Sequence, residues 1–265
     1  MTSSQQVSFN LGPLTVSQIM DRALRLLPKL FSSSWQLFIL LSAITALQLS
    51  LQLQGDELTQ ASASSSLELV LQIISILLSI VFYFALILLG ADIWLDRPAH
   101  LTVLRQRLRI GLVLRTGVLL FWMTLITFCG LLLLIIPGLL YATNRFLAPY
   151  VLVMKDVSIE TALRQSKYLM TRGSWYSLRG PYMRLGAIVS VTVIVGVLAG
   201  ILALLVGLSS SFGWLDNAYQ PLLAFGVALT QYLVQAFGVL AYLGFYYDLS
   251  VRYEAKDILP GAGPA

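Results

Sequence analysis

The chain has 265 residues, of which 58% are hydrophobic and only 11% charged, with a mean hydropathy of +0.83. A water-soluble domain carries roughly a quarter charged residues, and a core of this size cannot hide so much apolar side chain, so the surrounding solvent is expected to be lipid. One histidine, His100, and one cysteine, Cys129, exclude a bis-histidine haem, a His-rich metal centre and an internal disulfide; no metal and no cofactor is expected.

The opening stretch MTSSQQVSFNLGPL is a polar tail without the basic and apolar regions of a secretory signal, so the first hydrophobic run is expected to stay as a spanning helix. Before it, residues 15–31 read as an amphipathic helix lying on the membrane. Thr15 and Gln18 have the spacing of a capping box. Val16, Ile19, Met20, Ala23, Leu24, Leu27, Leu30 and Phe31 recur at three- and four-residue steps, with Arg22, Arg25 and Lys29 away from that stripe. Pro28 is expected to kink the helix near its end.

Six apolar stretches follow, at roughly 35–53, 69–94, 116–136, 138–154, 185–207 and 222–247, each long enough or nearly so for a hydrocarbon layer of about 30 Å. The fourth is short, is joined to the third only by Pro137-Gly138, and contains Asn144 and Arg145. Residues 116–154 therefore read as a tight helical hairpin, with a re-entrant pair as the alternative. Two further surface helices are expected, a less regular one over 101–114 and a clear one over 158–171, capped by Ser158. The motif Ala23-Leu24-Arg25 before Trp35 is echoed by Ala162-Leu163-Arg164 before Trp175, a short similarity that either chance or an internal repeat explains, while the order surface helix, span, outer turn, span recurs three times. Residues 258–265 read as a flexible tail. The fold class expected is all-α: one polytopic membrane domain with six transmembrane helices and about three cytoplasmic amphipathic helices.

Charge placement tests that layout. All but Arg145 of the 17 Lys and Arg lie before the first span, in 95–115, in 155–184 or after the last span, whereas 54–68 and 208–221 hold acids and no base. The positive-inside rule then puts both termini in the cytoplasm, which demands an even number of spans. Basic charge spread this way points to anionic lipid head groups. Nucleic acid is not an expected partner, because no basic-aromatic platform accompanies the charge.

Polar groups within the spans are the candidates for function. Arg145, with Asn144, is either a structural group paired with backbone carbonyls or a contact for a lipid phosphate or anionic solute. Gln231 and Gln235, one turn apart, and Gln72 are candidates for interhelical hydrogen bonds or a solute route. Asp248 and Arg252 can pair at i,i+4 near the membrane edge, and Asp92 can serve Arg97. Gly196, Gly200, Ala203 and Gly207 form a small-residue stripe suited to close helix packing. Trp35, Trp94, Trp175, Trp214, Tyr246 and Tyr247 fall at expected membrane edges. The sequence has no phosphate-binding glycine loop, no HExxH, no CxxC and no nucleophile elbow, so no catalytic residues are expected and the chain is not read as an enzyme.

Three stretches, LGPLTVSQIMDRALRLLPKLF, LLLLIIPGLLYATNRFLAPYVLVMKDVSIETALRQSKYLMTRGSW and FYYDLSVRYEAKDI, resemble a broad bacterial family of six-span membrane proteins of unassigned function. That family includes the membrane domain attached to some glycerophosphodiester phosphodiesterases. The resemblance implies a bacterial cytoplasmic-membrane protein, without the phosphodiesterase activity, since the soluble barrel is missing. It implies fold and lipid contacts for Asp21, Arg145, Arg164, Arg172, Asp248 and Arg252. The expected role is a non-enzymatic scaffold or accessory subunit that binds partner helices or lipids. The alternatives are a transporter or channel for a small or amphipathic solute, and lipid handling at the cytoplasmic leaflet.

Overall fold

The computed structural model describes residues 14–55, 62–97, 99, 104, 107, 109–172, 180–211 and 219–253. The expected middle surface helix, most of the polar tail, residues 258–265, His100, Trp175 and Trp214 lie largely or wholly outside them. The described chain forms α1 (Val16–Gly55), α2 (Ser62–Trp94), α3 (Ile110–Leu133), α4 (Ile135–Arg145), α5 (Ala148–Lys155), α6 (Ile159–Thr171), α7 (Pro181–Ser211) and α8 (Gln220–Tyr253), with no strand among these residues. Stretches in five of them (α1, α2, α3, α7 and α8) are long and apolar enough to cross a membrane. This is the helix content of a multi-pass membrane protein.

The first surface helix and the first span are one element, α1, bent at Ser34, whose backbone leaves the helical region at φ −133° and ψ 18°. The bend is six residues past Pro28, which stays inside the helix. Ser34 Oγ donates to the Leu30 carbonyl at 2.5 Å, and Ser32 and Ser33 each donate to the Lys29 carbonyl. Three consecutive hydroxyls competing for the carbonyls of one turn loosen the ladder there. The capping box forms: Thr15 N–H donates to Gln18 Oε1 at 2.8 Å, and Gln18 N–H to Thr15 Oγ1 at 3.3 Å. The apolar face does not lie in lipid as expected. Ile19, Ala23 and Leu30 are fully buried by protein, Leu26 joins them and Leu24 points outward. An amphipathic pattern states that one face needs an apolar partner; here that partner is largely α8.

The hairpin of α3 and α4 turns on a single extended residue, Leu134. Its N–H donates to the Gly130 carbonyl at 2.9 Å, and Pro137 sits in the first turn of α4, where a missing N–H costs nothing. Gly130 and Gly138 face each other so closely that a Cβ on Gly138 would stand 2.5 Å from the Leu131 nitrogen. The fourth span expected over 138–154 is not one helix. It breaks at Phe146-Leu147 into α4 and α5, because the ring of Pro149 obstructs the Arg145 carbonyl and offers no N–H to it. Buried Ser166 of α6 repairs the gap by accepting from Leu147 N–H at 3.2 Å and donating to the Asn144 carbonyl at 3.0 Å. α5 ends on Asp156, in left-handed backbone at φ 46°, and Asp156 lies 3.7 Å from Arg109 at the start of α3. The hairpin thus returns to the end from which it set out.

Contacts of this kind gather one end of the bundle. Arg22, near the start of α1, donates to the last carbonyl of α2, that of Trp94, at 2.9 Å and stacks over its ring. Arg184, near the start of α7, meets Asp248 near the end of α8. The described bases other than Arg145 cluster toward this basic end. The core sits in the same half: α2 is buried from Phe82 to Trp94, α3 only as far as Leu119, and α7 only as far as Ile188. Phe38, Phe82 and Tyr232 stack edge to face at 5.1 Å spacing and join α1, α2 and α8, a geometry favoured by ring quadrupoles. Trp94, expected in a membrane-edge belt, is fully buried, as is nearly all of Tyr246. The Trp94 ring fills the notch left by Gly244, where a Cβ would stand 2.5 Å from its Cη2 atom. Trp35 is about half exposed.

Candidate functional site

Away from the basic end the helices part, and between α1, α2, α3 and α8 they leave a groove of about 390 Å³. Gln48, Gln72, Ser75, Ser79, Tyr83 and Gln235 bring polar groups to it, among apolar walls from Ile76, Ile80 and Leu120. Among the described residues no charged one lines it. On α2 the polar groups occur at 72, 75, 79 and 83, a stripe at helical period that faces one side. None of the amides of Gln48, Gln72 and Gln235, nor the hydroxyls of Ser75 and Ser79, has a hydrogen-bond partner among the described residues. In hydrocarbon such groups cost free energy until something bonds them.

The groove ends on a packed floor. Tyr83 donates its hydroxyl proton to Tyr150 at 3.2 Å. Tyr150, 1% exposed, packs with Tyr242, which in turn meets Phe146 at 4.7 Å between ring centroids. Beyond this aromatic layer Leu86, Ile87, Leu89, Leu240 and Leu243 are buried. A molecule or helix that offers hydrogen bonds would match these groups, and among the described residues a buried aromatic and aliphatic layer lies beneath them.

The structure brings Gln72 and Gln235 together at this groove. Gln231, one turn away on α8, is exposed and does not line it. Arg145 and Asn144 lie elsewhere, at the α4–α5 break. The Arg145 guanidinium donates to the Leu163 carbonyl of α6, and Asn144 Oδ1 accepts from the Tyr182 hydroxyl of α7 at 2.5 Å. Both side chains dock the broken helix onto its neighbours. Gly196 stands at ordinary distance from Val234 of α8, while Gly200 has no atom within 4 Å of its Cβ position. The tight approach of α7 and α8 is instead at Gly238, against Thr192 at 3.2 Å. The packing of Ala203 and Gly207 lies outside what is described.

Asp248 and Arg252 pair at 2.9 Å, and a third member that sequence spacing did not reveal completes the cluster. Arg184 donates to Asp248 Oδ2 at 2.5 Å, with both side chains nearly inaccessible. Asp248 Oδ1 accepts from Leu14 N–H at 2.7 Å, while the Leu14 carbonyl accepts from Arg184 at 2.6 Å and Arg252 at 3.1 Å. The chain entering α1 is thereby tied to α7 and α8. Asp92 binds Arg107 at 3.0 and 3.1 Å rather than Arg97, whose backbone N–H reaches only the Asp92 carbonyl. Of the other positions in the family resemblance, Asp21 pairs with Arg25, Arg164 with Glu160, and Arg172 donates to the Tyr253 carbonyl.

Sequence reasoning missed Gln48, Ser75 and Ser79. The signal for the serines was present: polar residues at 72, 75, 79 and 83 in an otherwise apolar span place all four on one face. Among the described residues no cluster of His, Cys, Asp and Glu suits a metal. Comparison with protein-family models, with curated proteins and with solved structures finds no match.

Proposed function

We propose that the chain is a non-enzymatic accessory or scaffold protein of a bacterial cytoplasmic membrane, and that it receives a partner transmembrane helix bearing polar side chains. The observation that carries this reading is the set of unpaired amides and hydroxyls in the intramembrane groove, set above a sealed floor. Polar groups at such a site are matched by polar groups of another helix, each interhelical bond contributing roughly 0.6 kcal/mol. The basic end is read as cytoplasmic by the positive-inside rule. The Arg109–Asp156 contact at 3.7 Å supports counting α4 and α5 together as the fourth of six crossings, with both termini inside. The bacterial membrane assignment rests on the family resemblance.

A second reading, a carrier of a neutral amphipathic solute, draws on the same groove and requires the tyrosine floor to open. A photo-crosslinking residue at Gln72, compared with one at lipid-facing Leu132, separates the two in native membranes. A helix partner gives a discrete protein adduct at Gln72 that is absent at Leu132. Replacing Gln48 and Gln235 with Leu weakens it several-fold. Identical lipid adducts at both positions contradict the proposal, and a small-molecule adduct confined to Gln72 favours the carrier.

A further inference from the structure

At the basic end, where α2 stops, α3 begins and α5 ends, lies a second cavity of about 400 Å³. Arg97, Arg107 and Arg109 supply three guanidinium groups to its wall, against two carboxylates, Asp92 and Asp156. The carboxylates leave much of that positive charge available. Asp92 engages Arg107 through Nη1 alone, so Nε and Nη2 of Arg107 have no partner among the described residues. Asp156 holds Arg109 loosely, at 3.7 Å, with both side chains at least half exposed. Arg97 has no ion pair among the described residues. α3 also begins at this rim with no side-chain cap, so the positive end of its dipole adds to the field.

The rest of the wall is apolar: Leu88, Leu95, Leu112, Val153 and Met154. From the rim an uninterrupted apolar stripe, Ile110, Leu114, Val118 and Phe121, runs along the exposed face of α3. Three unsaturated guanidinium groups above an apolar track match one chemistry, a phosphate ester carried on an acyl glycerol. Guanidinium is the side chain best suited to bind phosphate oxygens in pairs. The geometry points to a specific site for a phosphate group, supplied by the head group of an anionic phospholipid of the leaflet at the basic end. The acyl chains lie along α3. The inference uses the membrane setting but is independent of what fills the polar groove.

The test is native mass spectrometry of the full chain, delipidated in mild detergent and titrated with phosphatidylglycerol or with phosphatidylcholine of the same acyl length. One phosphatidylglycerol is expected to bind at least tenfold more tightly than phosphatidylcholine. Because a base near the membrane surface is worth about 1 kcal/mol and 1.4 kcal/mol is tenfold, Arg97→Gln with Arg109→Gln should lower that affinity roughly tenfold or more. Both side chains are exposed, so the fold should survive, and the corresponding Lys variants should retain most of the binding. Asp156→Asn removes the competing carboxylate, suits the same left-handed backbone, and should raise affinity. Inorganic phosphate at millimolar concentration should not displace the lipid; full displacement would assign the site to free phosphate instead. Equal binding of the two lipids, or unchanged affinity in the double Gln variant, overturns the proposal.

Discussion

Asp248→Asn is expected to lower stability by about 3–5 kcal/mol, because it leaves Arg184 charged and buried without its counter-ion. The Asp248 side chain is inaccessible and that of Arg184 is 7% exposed, so water cannot take over the lost interaction. Arg252→Gln should cost much less, since its side chain is 32% exposed and can be solvated in either state. Buried ion pairs in general can be exchanged for apolar pairs at little cost. Here Asp248→Leu with Arg184→Met should recover only part of the loss, because Leu14 N–H and C=O would then lose two hydrogen bonds and Arg252 would lose its counter-ion. Thermal unfolding in detergent gives the ranking, and faster proteolysis near residue 14 would report release of the entering chain. Equal stability of the Asn variant and the parent would show that the clamp is not what fixes α1 to α7 and α8.

Gly138→Ala is the second large effect. The new Cβ would stand 2.5 Å from the Leu131 nitrogen and 2.7 Å from the Gly130 carbonyl carbon. Both are backbone atoms, so no side chain can rotate away and the hairpin must open. Overpacking of this kind costs typically 1–3 kcal/mol, with more where backbone must move. Gly226→Ala on α8 is the control, since nothing lies within 4 Å of its Cβ position. It should be neutral or slightly stabilising, as Ala favours helix over Gly. Unfolding midpoints of the two variants should therefore move in opposite directions or differ by several degrees.

Long apolar runs, the alternation of basic and base-free segments, and the capping residues Thr15 and Ser158 made the helices legible in the sequence, whereas the kink expected at Pro28 falls instead at Ser34. Period alone cannot say what covers an apolar face: Ile19 belongs to a stripe expected to face lipid and packs instead at Gly244 of α8. It also could not choose between partners for Asp92: Arg97 is nearer in sequence, but Arg107 is brought back by the approach to α3. The break at Phe146-Leu147 was legible in principle, because Pro149 stands four residues after Arg145. What concealed it was the apolar composition of the run, which reads as one span whether or not the backbone ladder is continuous. The groove is a different case. Its α2 stripe is visible in the sequence, whereas its depth depends on where α2 and α3 cease to be buried, a tertiary property.

The Tyr83–Tyr150 layer is expected to seal the polar groove from the basic end. Single-cysteine variants at Ser75 and Ser79, made with Cys129→Ser, test this in sealed membrane vesicles of known sidedness with a membrane-impermeant thiol reagent. Labelling is expected from the face opposite the basic end and none from the basic face. Labelling of Ser79→Cys from the basic face would reveal a continuous polar path, contradict the sealed floor, and make transport the better description.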